Sequence, residues 1–363
     1  MHSSGLSHLA RFSRGRHRTL NCQFELTYRC DYNCAHCYCK GSENAGKELT
    51  TAEVKRLLDE IHAAGCLFVT FTGGDPLVRR DFKDIYAYAK RKGFIVTVLT
   101  NGLRLSSGLI DYFTKYPPLS VDITVNSLDP CGYAKITGFP GSLARVLRNI
   151  ELASRKGIAM IIKANAMKTN KDQIGKIKRW AHELPGKSKE NLFNFRYDTV
   201  IYPRLDGSLE PCSLRLNMRE LAQVNRLDGD FVKDHKVYLK GITTSHKASR
   251  DALYFCSSFK DQFTINPFGQ LKFCPHDTKF VVDLRKDSFA HGFYKVIPRL
   301  TQERFKTATP CRNCHLRTMC YSCPAAAFLE NGNDEKPVKY FCRLAHSAVR
   351  EARRECHKGA LRR

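Results

Sequence analysis

One short stretch constrains this chain more than any other: Cys30-Asp31-Tyr32-Asn33-Cys34-Ala35-His36-Cys37-Tyr38. Its cysteines have C-x3-C-x2-C spacing, so three thiolates come from a single loop. Closely spaced thiolates hold iron–sulfur clusters. Three of them can occupy three corners of a [4Fe–4S] cube and leave the fourth iron open to a small molecule. A three-cysteine zinc site, or unrelated buried thiols, would use the same residues. The strand-like segment Gln23-Phe24-Glu25-Leu26-Thr27 comes just before, which places the cysteines in the loop leaving a first β-strand.

The remaining cysteines make metal or redox use the working expectation, because the chain has sixteen in all. Met1-His2-Ser3-Ser4-Gly5 lacks an apolar signal core, and no apolar run is long enough to span a membrane. A cytoplasmic protein is therefore expected, and there cysteines serve metals and redox chemistry rather than a disulfide framework. The formal charge of +25 suits nucleic acid, an acidic peptide or a phosphorylated substrate, or simply a solvated basic surface.

Beyond the cysteine loop, apolar runs alternate with helical patterns. Thr50 to Ala64 has Val54, Leu57, Leu58 and Ile61 on one face, with Thr50 or Thr51 as cap and Glu53 in the first turn. Strands are predicted at 66–71, 94–99, 120–126, 159–167 and 192–198, and helices at 82–92, 107–115, 142–156 and 172–183. Six such units predict an α/β fold: a partial (β/α)6 TIM-like barrel of parallel strands with helices outside. Loops leaving the C-terminal strand ends collect the chemistry in such folds. Thr72-Gly73-Gly74-Asp75-Pro76 and Thr100-Asn101-Gly102 fall there. Alternation along the later strands puts Asp122, Thr124 and Asn126 on the lumen face, joined by Lys163, Asn165 and Met167 and by Asn194, Arg196 and Asp198.

A second cysteine system fills the last third. Cys256 and Cys274 flank a hairpin that turns at Asn266-Pro267-Phe268-Gly269. Cys311-x2-Cys314-x5-Cys320-x2-Cys323 follows, then Cys342. Zinc is the structural alternative, but seven cysteines exceed one tetrahedral site. The expected organisation is a basic, mobile lead-in (1–20), the barrel (21–210), a connector (211–255), a small irregular cysteine-rich α+β cluster-binding domain (256–345) and a basic C-terminal helix or tail (346–363).

Taken together, these motifs resemble the radical S-adenosylmethionine (SAM) superfamily, and the later cysteines resemble its SPASM extension. The resemblance implies a SAM-binding [4Fe–4S] cluster on Cys30, Cys34 and Cys37. It implies SAM contacts from Tyr38 (adenine), from Gly73, Gly74 and Asp75 (amino group), from Thr124 and Asn126 (ribose), and from Arg196 (carboxylate). Asp75 stands where the family has Glu, so its contact would be longer or pass through backbone carbonyls. Two auxiliary [4Fe–4S] clusters are implied as well, one on Cys256, Cys274 and Cys323 and the other on Cys311, Cys314, Cys320 and Cys342. The first would have an open iron, or a fourth ligand from His276, Asp277 or Cys212.

The function this implies is reductive cleavage of SAM and hydrogen abstraction from a ribosomally made peptide. Partners would include a low-potential donor such as flavodoxin or ferredoxin. Because the N-terminus is short, peptide recognition would need a separate leader-recognition protein or the barrel mouth. The alternative is small-molecule cofactor biosynthesis, such as oxidative decarboxylation of a tetrapyrrole. RNA modification and a non-enzymatic electron carrier are less favoured, and nucleic acid is the least favoured partner. If every cluster assembles, elemental analysis of anaerobically reconstituted protein should find about twelve irons per chain, three cubes of four. Stoichiometric zinc without iron would refute the cluster assignment.

Overall fold

The computed structural model describes residues 19–44, 46–185, 195–226, 251–254, 256, 261–317, 320 and 323–360, with side chains to residue 351 in the last helix. Most of the expected N-terminal lead-in, the start of the sixth strand with Asn194, the lysine-rich part of the connector, and Leu361 to Arg363 lie outside the described residues.

The barrel is built as β1 (Asn21–Thr27), α1 (Thr51–Ala63), β2 (Phe68–Gly73), α2 (Phe82–Arg91), β3 (Ile95–Thr100), α3 (Ser107–Lys115), β4 (Ser120–Thr124), α4 (Pro130–Thr137), α5 (Leu143–Arg155), β5 (Met160–Asn165), α6 (Ile174–Glu183) and β6 (Phe195–Asp198). Capping sets the start of α1 as the sequence predicts. The Thr50 hydroxyl accepts from the Glu53 N–H, and the Glu53 carboxylate accepts from the Thr50 N–H. Val54, Leu57, Leu58 and Ile61 are all buried. The extra helix, α4, is not evident from the apolar pattern. It is short and starts on Asp129 as cap with Pro130 at its first position.

Strands β1 to β6 lie side by side in chain order, all parallel. On its other side β1 takes β7 (Gln262–Ile265), also parallel, so the barrel does not close between β6 and β1. The predicted hairpin is present: β7 pairs antiparallel with β8 (Gln270–Lys272), and β9 (Val282–Asp283) follows. The cysteine-rich region thus shares a nine-stranded sheet with the barrel. One apolar core runs through both, from Val69, Val98, Ile123 and Ile162 to Phe263, Leu271, Phe293 and Phe341. Each such side chain contributes about 1.5–3 kcal/mol on burial. The chain ends with α7 (Met218–Arg226), α8 (Pro324–Asn331) and α9 (Lys339–Ala360), of which α7 precedes β7. Met167, placed by alternation in the lumen row, is instead buried with Ile136 and Ile201 beyond the end of β5, where strand periodicity no longer applies. No helix among the described residues is long and apolar enough to cross a membrane.

The paired glycines after β2 are demanded by backbone packing. Gly73 has φ +130°, and a Cβ there would lie 2.0 Å from the Thr27 carbonyl oxygen. At Gly74 a Cβ would meet the carbonyl oxygens of Arg29 and Tyr28 at 2.4 and 2.5 Å. The close approach permits two bonds, Gly74 N–H to Thr27 O at 2.7 Å and Asp75 N–H to Arg29 O at 3.0 Å. Gly93 also has positive φ but has open space around it. Gly73→Ala should therefore lower stability by about 3 kcal/mol, against about 1 kcal/mol for Gly93→Ala, as measured by thermal or urea unfolding.

Candidate functional site

The cysteine loop is fastened to the barrel rim by its backbone. Asn33 N–H donates to Thr137 O at 2.8 Å and Ala35 N–H to Ile136 O at 3.0 Å, both at the C-terminal end of α4. Within the loop, Cys37 N–H donates to Cys34 O at 3.1 Å. Cys30 Sγ accepts from Tyr32 N–H at 3.4 Å and from Asn101 Nδ2 at 3.5 Å. Burial pushes the Cys30 thiol up to about 12 and Cys34 higher still, and the neighbouring sulfurs push in the same direction. The Cys37 thiol is pulled down, chiefly by its contact with Cys39 at 3.4 Å between sulfurs. Cys39 is itself buried and was not singled out by spacing.

This donor set suits an iron–sulfur cube. Three thiols from one loop are near enough to act on one another electrostatically, and N–H groups point at one of the sulfurs, as in the outer shells that orient and tune metal ligands. Among the described residues no three His, Cys, Asp or Glu side chains converge tightly enough to share a single metal ion. A cube does not ask that of them, because each thiolate binds its own iron.

Asp75 is fully buried and both its oxygens are engaged. Oδ1 accepts from Leu77 N–H at 2.9 Å, while Oδ2 accepts from Thr100 Oγ1 at 2.7 Å and Asn101 N–H at 2.8 Å. The carboxylate ties the β2 loop to the β3 loop. Burial raises its pKa to about 6, with these hydrogen bonds opposing the shift.

The structure divides the expected SAM contacts. Asn126 is buried, with its Oδ1 accepting from Asn165 N–H at 2.8 Å and its Nδ2 lying 3.5 Å from His36 Nε2. His36, inside the cysteine loop, is therefore the ring beside Asn126, and burial lowers its pKa to about 4. Sequence reading passed over it in favour of Tyr38. The Tyr38 hydroxyl donates to buried Glu25 at 2.5 Å, and its ring lies 5.2 Å from that of His276 in the C-terminal region. Thr124, Lys163 and Arg196 align in one row across β4, β5 and β6, with Lys163 ion-paired to Asp122 at 2.8 Å.

The later cysteines lie in two overlapping neighbourhoods, with Cys323 belonging to both. Cys323 and Cys274 act on each other electrostatically, and Cys256 acts on Cys323. Cys323 also caps α8, its Sγ accepting from Ala326 N–H at 3.4 Å, and burial raises its thiol pKa despite that bond. Cys311, Cys314 and Cys342 form the second neighbourhood. They line one cavity with Cys320 and Cys323. Asp277, next to Cys274, is buried with Oδ2 unpaired, and His276 has an unpaired Nε2. Cys212 stands apart, beside Arg215 and Glu330.

Residues 24–181 match the Radical SAM superfamily. They are a radical SAM domain. Among curated proteins, the chain is 29% identical to AdoMet-dependent heme synthase of Methanosarcina barkeri over 44% of this chain and 46% of that protein. The chain thus spans about half the length of that relative. PqqA peptide cyclase of Granulibacter bethesdensis is 24% identical over 90% of this chain and 88% of that protein. In fold, the chain resembles Streptococcus suis SuiB bound to precursor peptide SuiA, with a TM-score of 0.70 at 16% identity, covering 93% of this chain and 80% of that one. The radical SAM domain therefore includes the Cys30 loop, the Gly73-Gly74-Asp75 turn and the β4–β5 row.

An acid whose folded pKa lies above its unfolded value favours folding at low pH and loses that contribution as pH rises through the folded value. Wild-type stability should fall between about pH 4 and pH 6 as Asp75 ionises in its buried setting. Urea titrations across that range should show a smaller fall in Asp75→Asn.

Proposed function

We propose that this chain is a SAM-cleaving enzyme that takes a hydrogen atom from a peptide substrate and matures a ribosomally made peptide by crosslinking or side-chain oxidation. One observation carries the peptide reading. The match to PqqA peptide cyclase runs through nearly the whole of both chains, whereas the match to the haem synthase covers less than half of either. The likeness to SuiB extends the same fold over nearly the whole chain. The tetrapyrrole alternative rests on the haem synthase similarity.

In this reading Cys30, Cys34 and Cys37 hold the cluster. Bound SAM and its cluster supply a one-electron cleavage that yields a 5′-deoxyadenosyl radical. The residues of the chain then have separate tasks. His36 and Asn126 flank the nucleoside, and the backbone carbonyls of the Gly73-Gly74-Asp75 turn receive the amino group, because the Asp75 carboxylate is turned to Leu77, Thr100 and Asn101. Arg196, in the row with Lys163, receives the carboxylate. Buried apolar residues around the loop keep water from the reacting centre. The C-terminal region is read as a SPASM extension with auxiliary clusters on Cys256, Cys274 and Cys323 and on Cys311, Cys314, Cys320 and Cys342. These would accept the second electron after hydrogen abstraction. A flavodoxin or ferredoxin would supply the first, in a cytoplasmic setting that keeps the thiols reduced.

Anaerobically reconstituted protein given dithionite and SAM should release 5′-deoxyadenosine, and Cys34→Ala should bring release down to the no-enzyme background. Stimulation by a short precursor peptide encoded beside the gene would support the peptide reading. Stimulation by a carboxylated tetrapyrrole alone would overturn it.

A further inference from the structure

The cysteine loop runs on into a fourth cysteine, Cys39, which the cluster does not need. Its side chain is buried, and its Sγ lies 3.4 Å from the Sγ of Cys37. Two thiolates that close would repel strongly, so the pair cannot both bind iron in this arrangement. Cys37 holds the motif position, which leaves Cys39 as a neutral thiol pressed against a ligand sulfur.

The backbone on either side keeps that thiol in place. The Tyr38 carbonyl accepts from Leu205 N–H at 2.9 Å, and the Tyr38 hydroxyl is bound to Glu25 on β1. The Cys39 carbonyl accepts from Ser42 N–H at 3.1 Å. A second acceptor within reach of the Cys39 thiol is the Gly73 carbonyl oxygen, at 4.0 Å. Gly73 belongs to the turn that packs against the Thr27 carbonyl, so this contact too is set by rigid backbone.

The direction of the sulfur–sulfur bond follows from ligation. A free Cys37 could donate or accept. Bound to iron it has no proton to give and carries charge, so the Cys39 S–H is the donor, and Cys37 is the nearer and stronger of its two acceptors. The backbone N–H groups of Cys39 and Lys40 act on the same sulfur. Donors aimed at a ligand sulfur stabilise the reduced, more negative core more than the oxidised one, and so raise the reduction potential.

We propose that Cys39 is a positioning residue that donates its S–H to the Cys37 thiolate and makes the SAM-binding cluster easier to reduce. The proposal rests on the reading that Cys30, Cys34 and Cys37 hold that cluster. One electron comes from a donor of the flavodoxin or ferredoxin class. The Cys39 proton stays on its sulfur, and no covalent bond forms or breaks there.

The test is a potentiometric titration of the anaerobically reconstituted full chain, followed by electron paramagnetic resonance. The signal that changes when SAM is added belongs to the SAM-binding cluster. At the wild-type midpoint of that signal, Cys39→Ala should lower the ratio of reduced to oxidised cluster about fivefold, a shift of about 40 mV for one electron. Cys39→Ser keeps a donor and should bring the ratio back to within about twofold of wild type. Iron content and thermal unfolding of both variants should match wild type. An unchanged midpoint in folded, iron-replete Cys39→Ala would overturn the proposal. So would Cys39→Ser titrating like Cys39→Ala at full iron, because the sulfur and not its proton would then be what matters. If both variants stay folded but lose the iron of this cluster, Cys39 helps to hold the cluster and the tuning role is refuted. Failure of the cluster reading would register separately, as wild-type protein that takes up zinc in place of iron and gives no SAM-responsive signal.

Discussion

The site depends on how closely the end of β2 approaches the exit of β1. With no Cβ at Gly73 or Gly74, the turn after β2 presses onto the carbonyls of Thr27, Tyr28 and Arg29 and bonds to the first and last of them. Asp75 then reaches across to Thr100 and Asn101. Asn101 in turn points its amide at Cys30. Backbone N–H groups of the turn tie β2 to the exit of β1, the Asp75 carboxylate ties it to the end of β3, and Asn101 links that network to the cysteine loop. A buried acceptor with three donors gives a rigid network, and losing any member leaves costly unpaired groups.

A second buried network joins the barrel to the C-terminal region. Glu25, on β1, accepts from Tyr28 at 2.8 Å and Tyr38 at 2.5 Å, and Lys272 on β8 lies near enough to favour its charge. Burial outweighs these partners and raises the carboxyl pKa. The ring of His276 packs between Tyr38 and Tyr202, at 5.2 and 4.2 Å. The residue after Cys37 and the residue two after Cys274 are thus in direct contact. The parallel pairing of β7 with β1 makes this possible by bringing the two cysteine systems to one sheet.

Local pattern made much of this legible. The C-x3-C-x2-C loop, the capped amphipathic α1 and the short apolar runs each depend on neighbours a few residues away, so their positions could be read directly. The 256–274 hairpin followed from its turn residues for the same reason. The contact of His36 with Asn126, ninety residues away, has no local signal. Cys39 was missed because an extra cysteine beside a complete motif carries no spacing signal of its own. Met167 was misplaced because period-two alternation was extended past the point where β5 ends. The hydrogen bonds of Tyr38 and Asp75 are set by partners that local pattern does not show, because a polar group takes whichever partner burial leaves it.

By itself, the sequence determined the chemistry available: which thiols lie close together along the chain, which segments are strand or helix, and that parallel βα units form the scaffold. Those properties follow from residue type and short-range periodicity. Only the tertiary structure decided which long-range partners meet. It paired β7 with β1, committed the Asp75 carboxylate to two backbone N–H groups and a hydroxyl, and buried the Tyr340 hydroxyl without a hydrogen-bond partner. These choices come from close packing and from the requirement that buried polar groups be satisfied, and both act between residues far apart in the chain.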